Sequence, residues 1–183
     1  FQIYCDFSGY SDIAVGISKL FGINLMENFN YPYFARNIGD FWKRWHISLT
    51  TWFRDYLYLP LGGSRGPLLF SFRNITIVFL VSGFWHGANW TFIFWGLIHV
   101  IYYIPYFLIK KNPKSIFLSN LIIKNKILAV ITTFVLVMLS WVFFRSNTIE
   151  DAWLYLYRLF SMAEGQNMFL NPANNLNATY YLL

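Results

Sequence analysis

No Lys, Arg, Asp or Glu occurs between Asn74 and Ile109. Charge is scarce throughout, at 12% of 183 residues, while 57% are hydrophobic and 22% aromatic. A soluble domain carries about 25% charged and about 45–50% apolar residues, so these proportions exclude an ordinary water-exposed globule and make lipid the solvent. Cysteine is nearly absent. Cys5 stands alone, which excludes an internal disulfide, and one thiol with three scattered histidines lacks the clustered spacing of a metal site. The first residues have no basic start, apolar stretch and small-residue cleavage site, so no secretory signal is visible. With Phe1 rather than Met at its start and the apolar run Tyr180, Tyr181, Leu182, Leu183 at its end, the chain reads as an excerpt from a longer protein.

Two common chemistries lack their full motif here. Gly62-Gly63-Ser64-Arg65-Gly66 spells Gly-x-Ser-x-Gly, but it sits in a glycine- and proline-rich loop with no strand pattern before it, as a nucleophile elbow requires, and the same stretch lacks the Lys-Ser or Lys-Thr that follows a phosphate-binding loop. The net charge of +6 suits nucleic acid in principle, but its distribution argues against that partner. Arg36 to Arg73 carries six positive and two negative side chains, and Lys110 to Lys126 carries five lysines and no acid. The two segments flank the charge-free run and read as cytoplasmic by the positive-inside bias.

What is present is a sequence of apolar stretches with lengths set by a bilayer. The 36 residues from Asn74 to Ile109 would extend roughly 54 Å as one helix, too far for a single crossing of a core about 30 Å thick. Gly87, Ala88 and Asn89 near the middle permit a turn, so a helical hairpin over 74–109 is expected, with its bend inside the membrane. His86 then lies at the bend, roughly 20 Å from Arg73 along the first leg. A bend in hydrocarbon frees backbone polar groups that lipid cannot satisfy, which implies protein packing or a wet cavity around it. Residues 127–144 form an uncharged stretch bounded by Lys126 and Arg145, expected to cross once. Residues 148–162 follow as an interfacial helix capped by Thr148, with Glu150 and Asp151 in its first turn. A helix is also expected over Phe1–Phe21. The fold class is therefore all-α, a polytopic membrane protein with transmembrane, re-entrant and interfacial amphipathic helices.

Residues 28–66 contain the most patterned segment. At about 100° per residue from Asn37 to Leu59, Ile38, Phe41, Trp42, Trp45, Leu49, Trp52, Phe53 and Tyr56 share one face, with Asp40, Lys43, Arg44, Arg54 and Asp55 opposite. This predicts one amphipathic helix at the membrane surface or in a re-entrant arrangement, with His46 on the edge between its faces. A Trp-rich stripe of this kind is more often a membrane anchor than a ligand pocket. Arg54 and Asp55 also fit an ordinary ion pair. Pro60, Gly62, Gly63, Gly66 and Pro67 make the following loop.

An ionisable side chain inside the membrane costs several kcal/mol unless compensated, so His86 is the leading candidate for chemistry. A neutral imidazole takes a proton from an attacking hydroxyl near pH 7 and returns it to a leaving group. The competing reading is a packed helix histidine bonded to a backbone carbonyl. His46 and His99 are weaker candidates, one fitting an interface position and the other a buried helix position.

The strings "NFNYPYFARNIGDFWKRWHISLTTWFRDYLYLPLGGSRG" from Asn28 and "GFWHGANWTFIFWGLIH" from Gly83 resemble the two signature regions of the membrane-bound O-acyltransferase family, and Leu-Gly-Gly-Ser-Arg favours its alginate O-acetyltransferase-like branch. "YCDFSGYSDIAVGI" from Tyr4 and "WVFFRSNTIEDAW" from Trp141 extend the similarity over nearly the whole chain. The resemblance implies a multi-helix membrane fold around a central cavity, with His86 and His46 as the catalytic pair and Trp85, Asn89, Trp42, Trp45 and Arg54 as substrate contacts. It further implies no bound cofactor and no metal, an acyl thioester such as acetyl-CoA or an acyl carrier as co-substrate, and a polysaccharide acceptor. The implied partners are the lipid bilayer and a separate periplasmic or cell-surface acetyltransferase, and the implied location is the bacterial cytoplasmic (inner) membrane. Two other readings stay open: a transporter or channel segment with His86 as a proton relay or pore residue, and D-alanyl transfer to a cell-wall polymer.

Overall fold

The computed structural model describes residues 1–111 and 125–161, and all regular elements among them are helical. They are α1 (Gln2–Leu20), a 3-10 turn at Pro32–Phe34, α2 (Ile38–Arg44), α3 (Ile47–Phe53) running into a π-helical turn at Arg54–Tyr58, α4 (Leu68–His86), α5 (Trp90–Lys111), α6 (Lys126–Arg145) and α7 (Ile149–Ser161). By length and composition, three described helices can cross a membrane: α4, α5 over Trp90–Leu108, and α6. The lysine-rich stretch at 110–126 falls largely on residues 112–124, outside the described residues, as does Met162.

α4 and α5 run antiparallel, and their crossing is set by two glycines. A Cβ on Gly83 would collide with the Phe92 carbonyl oxygen, and one on Gly96 would lie 2.6 Å from the Phe79 carbonyl oxygen. Close backbone approach matters here because lipid tails are as apolar as Leu, so helices associate through packing rather than through expulsion from water. α4 begins at Leu68 with Arg73 inside it, six residues before the charge-free run. The two legs are therefore 19 and 22 residues, roughly 28 and 33 Å. His86 closes the first of them, a helix long enough and apolar enough for a full crossing.

The joint at Gly87, Ala88 and Asn89 is held by polar contacts. Asn89 Oδ1 accepts from Thr91 N at 3.1 Å, capping the first turn of α5, and Asn89 Nδ2 donates to Asn147 O at 3.0 Å beyond the end of α6. At the other end of α4, buried Asn74 donates to Leu61 O and Gly63 O at 2.9 and 3.0 Å. This ties the glycine loop, where Gly62, Gly63 and Gly66 take positive φ, to the helix.

One correction concerns the Trp-rich segment. The structure has two short helices there, broken at Trp45 and His46, and His46 adopts the left-handed region at φ +44°. α2 starts with Asn37 Oδ1 accepting from Asp40 N at 2.8 Å, buries Ile38, Gly39 and Phe41, and packs against α5. Phe41 stacks on Trp45, and Trp45 lies 5.0 Å from Trp141, which stacks on Trp95. Phe41 and Trp95 are each 1% exposed. Trp42 and Trp45 are thus core residues rather than membrane anchors, whereas Trp52 and Tyr56, past the break, face outward.

Candidate active site

A cavity of about 260 Å³ opens between α2, α3, α4 and α5. On α4 it follows Ile75, Val78, Phe79, Ser82 and His86, positions three or four apart that share one helix face. Eleven residues separate the ends of that stripe, roughly 16 Å of helix. Tyr58, Ser64, Tyr103, Tyr106 and Phe107 also line it, and Trp42, Lys43, Trp45, His46, Thr50, Phe53 and Arg54 form the wall opposite α4. The wall is mostly apolar, with a few convergent polar groups, as expected of a small-molecule site.

The structure brings His86 and His46 to this one cavity from elements forty residues apart. His86 is the last residue of α4, half-buried, with Phe144 at 5.0 Å and Trp95 at 5.4 Å, both edge-to-face. A histidine at the final turn leaves its ring beyond the regular hydrogen-bond ladder, bordered by aromatic rings. His46 packs against Phe7 of α1 at 4.6 Å and faces Trp85 at 6.5 Å. Burial pushes its imidazole from the ordinary 6.5 down to about 4, with a backbone hydrogen bond acting weakly the other way. His46 is accordingly neutral at pH 7, and protonation sets in only as pH falls toward 4.

Of the expected substrate contacts, Trp42, Trp45 and Arg54 line the cavity, while Trp85 and Asn89 do not. Trp85 is 58% exposed, because a helix neighbour of His86 points about 100° away from it. Asn89 is spent on holding the helix joint. Arg54 forms a two-point pair with Asp55, Nε to Oδ1 at 2.7 Å and Nη2 to Oδ2 at 3.2 Å. The guanidinium holds the Asp55 carboxyl below its usual range and is itself raised. Lys43 is the other cationic side chain on the wall.

His99 stands apart from the cavity lining and is fully enclosed. Ser140 Oγ donates to Val137 O at 2.7 Å and lies 3.0 Å from His99 Nε2. Since the hydroxyl has one proton, the ring must donate through Nε2–H. His99 thereby ties α5 to α6, the position of a structural histidine. The sequence reading missed Ser82, Tyr58, Ser64 and Tyr103 on the wall, as well as Asn28 and Ser48 beside His46. Their residue types carry no signal, and only the three-dimensional register of four elements assembles them.

Residues 1–147 match the membrane-bound O-acyltransferase family. Among curated relatives, a "probable alginate O-acetylase AlgI" of Azotobacter vinelandii is 44% identical over 94% of this chain and 33% of its own length. A peptidoglycan O-acetyltransferase of Helicobacter pylori is 49% identical over 83% of the chain and 28% of its own. A teichoic acid D-alanyltransferase of Bacillus subtilis is 36% identical over 72% of the chain and 35% of its own. The chain spans about a third of the length of these relatives.

Proposed function

The chain belongs to the membrane-bound O-acyltransferase family, and from that premise we propose that it supplies the catalytic cavity of an O-acetyltransferase acting on an extracytoplasmic polysaccharide. The observation that carries this reading is the pair His86 and His46 on the wall of one cavity, with the cations Lys43 and Arg54 on the same wall. An acyl thioester such as acetyl-CoA, or an acyl carrier, enters from the side of Lys43, Arg54 and His46, where positive charge suits the donor's phosphates. The acceptor hydroxyl arrives at His86. Its oxygen attacks the thioester carbonyl as its proton passes to the neutral imidazole, the carbon–sulfur bond breaks, and the imidazolium returns the proton to the thiolate. Neither a metal nor a bound cofactor takes part.

Two of the relatives above 40% identity are named for O-acetyl transfer to alginate and to peptidoglycan, which favours acetyl over D-alanyl. A multi-pass protein of this family belongs in the membrane. We assign it to the bacterial cytoplasmic membrane, with a periplasmic or cell-surface acetyltransferase as the partner that completes polymer modification. Nucleic acid has no place in this scheme.

The test is an assay of the full-length protein in sealed membrane vesicles supplied with acetyl-CoA labelled in the acetyl group. Label should appear covalently on polysaccharide or on a hydroxyl of the partner. Passage of solutes or protons without any acyl transfer would instead support the transporter reading and overturn this one.

A further inference from the structure

His46 is the one histidine of the cavity held in a left-handed backbone conformation, which is strained for a residue with a side chain and persists only where neighbours over-determine it. Its neighbours come from a distant part of the sequence. Ile47 N donates to Asn28 O at 3.0 Å, Asn30 N donates to Arg44 O at 3.0 Å, and Ser48 N donates to Asn28 Oδ1 at 3.1 Å. The segment around Asn28 thus brackets His46 on both sides.

The same residues fix the ring. A backbone N–H can only donate, so the Asn28 atom facing Ser48 N is the carbonyl oxygen, which settles the orientation of the amide. Ser48 Oγ lies 2.6 Å from that oxygen and must give it its single proton. Toward His46 Nδ1, at 3.4 Å, the Ser48 hydroxyl is left with lone pairs alone. His46 therefore donates through Nδ1–H, and its Nε2 carries the lone pair. Asn28 Nδ2 in turn donates to Ser11 Oγ of α1 at 3.4 Å, anchoring the chain of bonds on a second element.

We infer that Asn28 and Ser48 are positioning residues that hold His46 in the Nδ1–H tautomer, so that the nitrogen it offers the cavity is an acceptor. This inference rests on the reading of His46 and His86 as the reacting pair. A fixed tautomer is the usual service of the group behind a working histidine, because the wrong tautomer presents a proton where a lone pair is required. The network serves both protonation states of His46, since Ser48 Oγ accepts from Nδ1–H in either. The titratable groups that share the cavity wall with His46 are His86, Lys43, Arg54, Tyr58, Tyr103 and Tyr106.

Solid-state NMR of the full-length protein, labelled with 13C and 15N at histidine and reconstituted in liposomes, reads the tautomer directly, with His46 assigned by difference against His46→Gln. The wild type should show Nδ1 protonated and Nε2 bare. Ser48→Ala and Asn28→Ala should release the ring to a mixture, and kcat for acetyl transfer should fall about tenfold or more with KM for the thioester little changed. Asn28→Asp, which keeps both bonds to Ser48, should retain the wild-type tautomer. A wild-type His46 protonated at Nε2 overturns the inference without any variant. So does an unchanged tautomer in both alanine variants. A tautomer that shifts as described while transfer continues at the wild-type rate would uphold Asn28 and Ser48 as holders of the ring and remove His46 from the reaction proposed above.

Discussion

Replacing His86 by alanine in the full-length protein should lower thioester-dependent acyl transfer by about 10²–10⁴-fold, the range that a positioned general base contributes, with the protein still inserted at its normal level. The ring closes α4 and is only half-buried, with one side on the cavity, so its removal enlarges a space that already exists instead of opening a void in the core. Of its neighbours, Trp95 and Phe144 keep each other at 5.2 Å, and the helix joint is held by Asn89. The loss should appear in kcat, because the proton moves only as the hydroxyl attacks. Donor binding, read from KM for the thioester, should change little. Quantifying both parameters alongside membrane levels of the variant checks each part of this expectation, and full activity in His86→Ala removes the general-base role.

Gly96→Val should damage the fold itself. A Cβ at this position would stand 2.6 Å from the Phe79 carbonyl oxygen and 3.2 Å from its carbon, both backbone atoms that cannot swing aside. α4 and α5 must then separate, and with them the stripe from Ile75 to His86 that forms one wall of the cavity. Overpacking of this kind costs about 3 kcal/mol, roughly a hundredfold in a folding equilibrium, and lipid offers no hydrophobic gain to offset it. A steep fall in the detergent-stable, monodisperse fraction of the full-length variant is the expected result. Wild-type stability would mean that the glycine contact does not set the crossing.

How far these features were legible in the residues depends on the range of the interactions that create them. The α4 and α5 pair followed from a charge-free run longer than one crossing, and the joint from Gly87 to Asn89, because both are consequences of local length and turn chemistry. The position of His86 at the end of α4 was visible for the same reason. The break at His46 was not. The amphipathic period runs unbroken from Ile38 to Tyr56, and what interrupts it is bonding to Asn28 and Asn30, some twenty residues away. That break also decided the fate of the aromatic stripe, sending Trp42 and Trp45 into the core and leaving Trp52 outside. Proximity in sequence was a poor guide at Trp85, which adjoins His86 along the chain but is 58% exposed and outside the cavity lining. At Asn89, a side chain suited to substrate is consumed in capping α5.

The account depends most on His86 bordering space that a substrate can reach within the membrane domain. The most direct measurement uses the full-length protein carrying Cys5→Ser and His86→Cys in liposomes, with any other reactive thiols replaced, treated with a small water-soluble thiol reagent. The thiol at position 86 should react in the folded protein, and acetyl-CoA should slow that reaction by filling the cavity. A thiol that stays unmodified until the protein is denatured would show a sealed, dry site and would contradict the account.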